Sequence, residues 1–212
     1  MNNTSNSITF VTNTLDYVSE ELAEKIARRA RRRLDEIVAG RKNFNEFTCS
    51  AGLPYPSIRF QKNKKAARIL LDVYSGAISE FTALNSFRYQ YIVAEPNHPD
   101  FTGLLKCVDL NEDFHTRTLA KLIDRLGGNP KYFNSDKMFW NGSEAIYGTN
   151  VEDRLKADIA AEMGIIKVYA RTLAELNDPD IEPLIRRLAL DDVFHLFIFE
   201  DALCRFKKGE FC

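Results

Sequence analysis

The sequence predicts an all-α protein built around a four-helix bundle. Four long stretches carry apolar residues at the spacing of a helix face, and no stretch shows the alternation of a convincing β-strand. Between the second and third stretches, residues 127–150 are rich in glycine, which predicts a non-helical segment. We therefore expect a flexible N-terminus over 1–13, a helix and connector over 14–62, the bundle over 63–206, and a tail over 207–212.

The N-terminal third is expected to add one helix outside the bundle. Residues 1–13 are rich in Asn, Ser and Thr and should be poorly ordered. A helix over 15–39 has acidic residues early and basic ones late, and Gly40 ends it. The basic run 28–33 could form an anion or nucleic-acid patch, or a solvated face whose charges pair along the helix. We favour the second interpretation because apolar residues form a stripe on the same helix.

The four bundle helices are bounded by clear stop signals. We expect them over 64–93, 101–126, 149 or 150 to 176, and 180–205. Proline-containing turns follow the first, second and third helices, at 95–99, 127–130 and 177–179. Segment 127–150 could span about 70 Å when extended, which exceeds the roughly 30 Å length of a 20-residue helix. The chain can therefore cross the full length of the bundle before the third helix.

Each bundle helix has one carboxylate in the middle of its apolar face. Burial of an ionised side chain without a partner costs several kcal/mol of folding free energy. In the second and fourth helices, a histidine follows the carboxylate three residues later and thus shares its face. The set comprises Glu80, Glu112, His115, Glu162, Asp192 and His195. Two antiparallel hairpins would bring these side chains together as ligands for a pair of divalent transition metals.

This ordered set resembles the ferritin-like di-metal carboxylate proteins, in the branch that contains rubrerythrins, bacterial ferritins and manganese catalases. The resemblance covers about residues 64–205 and includes the long connection between the second and third helices. It implies two metal ions per chain, iron first and manganese next. By this resemblance Glu80 and Glu162 are terminal ligands, and Glu112 and Asp192 bridge the metals. His115 and His195 would each supply one nitrogen.

Residues beside these ligands are expected to orient them. A metal-bound imidazole usually gives its second N–H to a carboxylate or carbonyl. We expect Asp191 to accept from His115 and Asn111 to pair with His195, as residues at these places do in related di-iron proteins. Asp158, one turn before Glu162, is either another such carboxylate or a polar flank. Tyr169 is interpreted as a core residue rather than a redox-active one, and His98 as a surface residue.

The resemblance implies a redox enzyme that reacts with O2 or hydrogen peroxide as peroxidase, oxidase or catalase, with an external electron donor as an optional partner. Iron storage with a ferroxidase centre is the alternative, and a metal-free helical scaffold is a second one. The sequence departs from rubrerythrins at two places. Asp192 replaces a glutamate, and Ile165 stands where an additional glutamate is usual. A shorter Asp192 could chelate one metal or reach the site through water.

Charge and cysteine content limit the binding partners, the cellular location and the cysteine chemistry that we expect. With 29 Lys and Arg against 30 Asp and Glu, the chain is not expected to bind nucleic acid or a membrane surface. It has no apolar run of about 20 residues and no secretory signal pattern, so we expect a cytoplasmic protein, and a homodimer. The four cysteines form no Cys-x-x-Cys pair, which excludes a rubredoxin-type iron centre. We expect free thiols, with a Cys204–Cys212 bridge as the alternative.

Overall fold

The structure is a computed structural model that describes residues 3–94 and 97–211. Within these ranges it is helical, and a single bridge between Phe133 and Phe139 is the one β-type pairing. Seven α-helices follow in order: α1 (Asn3–Thr14), α2 (Glu20–Val38), α3 (Lys64–Ser75), α4 (Glu80–Ala94), α5 (Pro99–Arg125), α6 (Val151–Leu176) and α7 (Glu182–Phe206). The expected all-α class is confirmed.

Four elements form the bundle, and they pair as two antiparallel hairpins. The α3–α4 element packs mainly on α5, and α6 packs mainly on α7. Contacts between α3 and α6 join the two hairpins. The core between them consists of apolar side chains with no exposure, such as Leu105, Leu119, Leu155, Leu188 and Phe199. Burial of these side chains is the main source of stability for helices of this kind.

The first bundle helix was expected to run without a break over 64–93, and the structure corrects this. Helix α3 stops at Ser75, and α4 starts at Glu80 after the short turn 76–79. Ser79 begins the new helix, because its hydroxyl accepts a hydrogen bond of 3.2 Å from the Thr82 backbone N–H. Glu80 therefore lies in the first turn of α4, where the positive end of the helix dipole favours a carboxylate. The stop expected at 95–99 begins with Glu95 and Pro96, which lie outside the described residues.

The expected long crossover is present over residues 127–150, and its regular structure consists of the Phe133–Phe139 bridge and the short 3-10 helix Gly142–Glu144. It runs along the outer face of α3 and α4. Ser135 hydrogen-bonds the Asp72 carboxylate near the end of α3, Trp140 Nε1 donates to Thr82 Oγ1, and the Ile146 N–H donates to Ser86 Oγ. Gly148, with φ +57°, then turns the chain into α6.

The N-terminal third differs from the expectation in two ways. Residues expected to be poorly ordered contain α1, whose buried Val11 packs in the common core. The following helix begins at Glu20, later than predicted, and its apolar stripe packs on α7. Its charged face pairs within the helix, since Arg28 contacts Glu24 at 3.2 Å and Arg33 contacts Glu36. Arg28 and Arg33 of run 28–33 thus pair within the helix, whereas the half-buried Arg29 donates to the Ser50 carbonyl of the connector.

The prediction that the cysteines are free thiols was wrong for two of them. Cys49 in the connector and Cys107 in α5 form a disulfide with a Cα–Cα distance of 5.6 Å. Cys204 is free and exposed. The alternative bridge to Cys212 falls on a residue outside the described ranges.

No helix within 3–94 and 97–211 is long and apolar enough to cross a membrane.

We predict that Asn150→Ala lowers the free energy of unfolding by about 1 kcal/mol. The Asn150 side chain accepts a 2.9 Å hydrogen bond from the Asp153 N–H at the start of α6, and alanine leaves that donor without its partner. Urea denaturation followed by circular dichroism measures the change. Asn141→Ala is the matched control, because Asn141 makes the same kind of bond at the short 3-10 helix only. Equal midpoints for the Asn150 variant and the parent would contradict the prediction.

Candidate metal centre

The six predicted ligand residues meet at the centre of the bundle, and all have no exposed surface. Their potential ligand atoms form two overlapping groups, in each of which the atoms lie within 4.8 Å of one another. One group contains Glu80, Glu112, His115 and Asp192. The other contains Glu112, Glu162, Asp192 and His195. Glu112 and Asp192 belong to both groups, so they occupy the middle of the cluster.

Distances to the imidazole nitrogens show this arrangement directly. His115 Nδ1 is 3.2 Å from Glu80 Oε2 and 3.7 Å from Glu112 Oε2. His195 Nδ1 is 2.9 Å from Glu112 Oε1 and 3.7 Å from Glu162 Oε1. Glu112 therefore turns one oxygen toward each histidine. Glu80 and Glu162 lie at opposite sides of it.

Asp192 reaches the same middle position in spite of its short side chain. Its Oδ1 is 3.7 Å from His115 Nδ1 and 3.8 Å from His195 Nδ1. The two imidazole centroids are 6.1 Å apart, so the carboxylate is nearly equidistant from both rings. A residue one methylene shorter than glutamate is thus long enough to stand between the two groups.

The tautomer of each histidine follows from its second nitrogen. His195 Nε2 is 2.9 Å from the Cys49 carbonyl oxygen, which can only accept, so Nε2 carries the proton. His115 Nε2 is 3.2 Å from Asp191 Oδ2, which is the hydrogen bond we expected between these residues. In the neutral form, both rings then present the Nδ1 lone pair to the carboxylates. This is the orientation in which an imidazole can bind a metal.

Asn111 does not take the role expected for it. Its Nδ2 donates to the Glu46 carbonyl at 2.6 Å, and the partner of His195 is the Cys49 carbonyl instead. Asp158 is buried and its Oδ1 accepts from Gln90 Nε2 at 2.9 Å. A backbone acceptor such as Cys49 has no side-chain signature in a sequence, and only the fold of the connector places it.

Two further side chains complete the surroundings of the cluster. Tyr169 is fully buried, and its hydroxyl donates a short hydrogen bond to Glu80 Oε1. It is a core residue as expected, but its hydroxyl also contacts a predicted ligand. Asp191 is held by Tyr55 as well as by a 2.6 Å contact from Arg187. Sequence reasoning missed Tyr55 because it lies in the connector, far along the chain from Asp191. Arg187 lies four residues before Asp191 on α7, so this i,i+4 spacing was a signal that could have found it.

Burial and mutual repulsion disturb the ionisation of the cluster. Burial, together with the Glu112 carboxylate, raises the pKa of Glu80 to about 8. Burial and neighbouring carboxylates likewise raise the pKa values of Glu162 and Asp192 well above the usual range. Burial lowers and the Glu80 carboxylate raises the pKa of His115, and the net effect is well above its ordinary value. The cluster therefore tolerates its acids only when protons or cations compensate them.

The donor set fits a pair of transition metals. Both side-chain oxygens of Glu112, Glu162 and Asp192 make no well-aligned hydrogen bond to any described residue, and neither does His195 Nδ1. Native proteins rarely leave so many buried polar atoms unsatisfied in one place, and the capacity to bind an ion accounts for such a group. Carboxylate oxygens and neutral imidazoles suit both iron and manganese. The arrangement can thus hold cations that share Glu112 and Asp192.

In the presence of a strong chelator, we predict that Glu162→Gln raises the free energy of unfolding by on the order of 1 kcal/mol or more. The amide removes a carboxyl group that is buried without a donor and close to other carboxylates. Chemical denaturation of the chelated protein gives the change. The same substitution at the exposed Glu175 on α6 should alter stability by less than about 0.5 kcal/mol. A large loss of stability in Glu162→Gln would contradict the repulsion that we infer.

Comparisons with known proteins show which solved structures share the fold of this chain. No protein-family model and no curated protein sequence matches the chain. Two structures of KatB, a manganese catalase from Anabaena, each align with a TM-score of 0.66 at 21% and 20% identity, over 74% of this chain and 79% of theirs. The bacterioferritin of Desulfovibrio desulfuricans, described with a diiron site, aligns with a TM-score of 0.59 at 18% identity, over 71% of this chain and 87% of its own. Similarity at this level of identity establishes the architecture, and the chain therefore has the ferritin-like four-helix-bundle fold.

Proposed function

We propose that the protein is a di-metal oxidoreductase that acts on hydrogen peroxide or O2, and that catalase-type turnover of hydrogen peroxide is its main reaction. The observation that supports this most is the pair of overlapping ligand groups that share Glu112 and Asp192. The fold similarity to a manganese catalase supports the same choice. In this proposal Glu80 and Glu162 are terminal ligands, and His115 and His195 bind through Nδ1.

The metal pair would supply one kind of chemistry. Two metal ions held close together can bind both oxygens of a peroxide and exchange two electrons with it. The overall reaction of a catalase balances without another reductant, since two H2O2 give two H2O and one O2. Manganese and iron both remain candidates, and the manganese catalase is the structure with the higher TM-score.

The chain's own residues orient and enclose this centre. Asp191 and the Cys49 carbonyl fix the two imidazole rings so that both Nδ1 atoms face the carboxylates. The Tyr169 hydroxyl donates a hydrogen bond to Glu80 and so holds this carboxyl group in place. Since all six ligand residues have no exposed surface, bulk water is excluded from the site. Such enclosure suits a small substrate.

An apolar cavity of about 460 Å³ lies between α4 and α6, and we propose that such a substrate approaches the site through it. Its lining includes Ala83 and Phe87 of α4, and Ala161 and Ile165 of α6. Ala83 and Ile165 are each three residues after a terminal ligand, on the same helix. The apolar Ile165 keeps the wall of the cavity free of an additional carboxylate.

Iron storage with a ferroxidase centre is the second candidate, and the similarity to a bacterioferritin supports it. The size of the assembly distinguishes a storage protein from the enzyme that we propose. A storage protein forms a large hollow assembly, whereas we propose a homodimer with two metals per chain. Helices α1 and α2 pack on α7 and would have to be accommodated in any cage. The cytoplasmic location also stays a prediction, and the Cys49–Cys107 disulfide is unusual for that compartment.

We predict that Glu112→Ala abolishes binding of both metals, because it removes a residue common to both ligand groups. The purified proteins are reconstituted with manganese(II) or iron(II) and their metal content is measured by elemental analysis. We expect about two ions per parent chain and fewer than about 0.2 per variant chain, because both metals lose a ligand that they share. Glu200→Gln, a buried carboxylate on α7 that pairs with Ser7 outside the cluster, should bind as the parent does. Retention of a full pair by Glu112→Ala would reject its bridging role.

We also predict that the manganese-loaded protein releases O2 from hydrogen peroxide at a rate that requires His195. His195→Ala should reduce the rate at least about a hundredfold, since loss of a ligand leaves one metal weakly held. An oxygen electrode measures the rate, and sizing by light scattering is done on the same sample. Rapid oxidation of many iron(II) ions per chain by a large assembly, without O2 release from peroxide, would favour storage over catalysis.

A further inference from the structure

Residues 46–55 of the connector, here called the capping segment, contact the outer side of the candidate metal centre. The Cys49 carbonyl accepts from His195 Nε2 at 2.9 Å. The Ala51 N–H donates to Asp191 Oδ1 at 2.7 Å, and the Tyr55 hydroxyl donates to Asp191 Oδ2. Asp191 in turn is the partner of His115 Nε2. The orientation of both imidazoles therefore depends on this one segment, in one case directly and in the other through Asp191.

Hydrogen bonds from three helices hold the backbone of the capping segment. Asn111 of α5 donates to the Glu46 carbonyl at 2.6 Å. Arg29 of α2 donates to the Ser50 carbonyl at 2.7 Å, and Arg187 of α7 donates to the Leu53 carbonyl at 3.0 Å. Gly52, with φ +73°, lets the chain pass close to Arg29, where a Cβ atom would lie 2.6 Å from the guanidinium carbon. The segment is an ordered layer and not a loose linker.

The Cys49–Cys107 disulfide is the covalent tie in this layer. Cys49 carries the carbonyl that accepts from His195, and Cys107 lies on α5 between the start of that helix and the ligands Glu112 and His115. The bond therefore connects the acceptor of one histidine to the helix that bears the other. Both cysteines have no exposed surface, so a reductant can reach the bond only when the segment lifts.

We propose that this disulfide is a redox-controlled clamp on the metal centre, an inference that rests on the proposed function. When the bond is intact, the capping segment fixes the Cys49 carbonyl and Asp191, and both Nδ1 atoms face the carboxylates. A dithiol reductant breaks the bond by supplying two electrons and two protons. Cys49 and Cys107 become thiols, and the dithiol becomes a disulfide. The released segment then orients the imidazoles less well, and the centre binds metal more weakly.

Thermodynamic linkage adds a reciprocal consequence. If the closed segment favours metal binding, bound metal must favour the closed segment by the same factor. Reduction of the buried bond requires an open segment. The metal-loaded protein is therefore reduced more slowly than the metal-free protein. Bound metal would also slow reduction of a purely structural disulfide that opens by global unfolding, so local loss of hydrogen-exchange protection is the observation that distinguishes the clamp.

The test compares metal release in four proteins: the oxidised parent, the dithiothreitol-reduced parent, Cys107→Ser, and Cys204→Ser as the control with an exposed free cysteine. Each is loaded with manganese(II) or, without air, with iron(II), and release into excess EDTA is followed at a temperature at which circular dichroism shows every protein folded. We expect release to be at least about tenfold faster after reduction or in Cys107→Ser, the usual scale for lost outer hydrogen bonds. Cys204→Ser should match the oxidised parent.

Two additional measurements separate the clamp from a general loss of stability. Tyr55→Phe keeps the disulfide and removes one donor to Asp191, so it should speed release in the same direction by a smaller factor. Hydrogen exchange of the reduced, folded protein should show lost protection in residues 46–55 and around Asp191, with α6 unchanged. Equal release rates in both redox states, or uniform loss of protection across the bundle, would overturn the clamp alone. Failure of the oxidised protein to bind either metal would overturn the proposed function and the clamp with it.

Discussion

The structure depends on a single electrostatic constraint, which is the burial of four carboxylates and two imidazoles in the middle of a helical bundle. Three of the carboxylates make no well-aligned hydrogen bond to any described residue. In a medium of low dielectric constant such groups are costly unless a proton or a cation compensates them. The apolar helices around them are long enough to bury the cluster completely, since α5, α6 and α7 each extend well beyond it at both ends. The bundle thus stabilises a site that by itself opposes folding.

This constraint explains why the cluster has an ordered outer layer. Bare carboxylates can rotate, but an imidazole binds a metal only when one particular nitrogen faces it. The structure fixes that nitrogen through the partner of the other one, a carboxylate for His115 and a backbone carbonyl for His195. Both partners depend on the connector between α2 and α3, which contains no helix or strand and packs its apolar side chains against the bundle core. Its position is therefore determined by the site and by the three helices that hold it.

Much of the fold and the cluster could be predicted because helical spacing and chemistry agree. Glu112 and His115 are three residues apart on a face that is otherwise apolar, and the same holds for Asp192 and His195. A buried charge on an apolar stripe is a strong local signal, and four of them in register identify one site. The long crossover was also predictable, since proline and glycine mark its ends.

Other features could not be read from local patterns. The turn between α3 and α4 is set by Ser79, whose capping bond competes with continuation of a helix that apolar periodicity alone would extend. Helix α1 is polar in composition, and it becomes helical because Val11 finds a place in the core. The pairing of Cys49 with Cys107 requires two distant segments to meet, and widely spaced cysteines contain no information about such a contact.

The position of Asp192 connects the geometry with the choice of chemistry. Glutamate at this place could reach the middle of the cluster in several rotamers, whereas the shorter aspartate has fewer and holds its carboxylate close to the backbone of α7. Its Oδ1 nevertheless lies almost midway between the two imidazoles. Ile165, in place of an additional carboxylate, adds no further charge to the α6 side of the site and lines the cavity between α4 and α6. Our proposal of small-substrate turnover in preference to metal storage rests in part on this compact ligand set, which has limited freedom to rearrange.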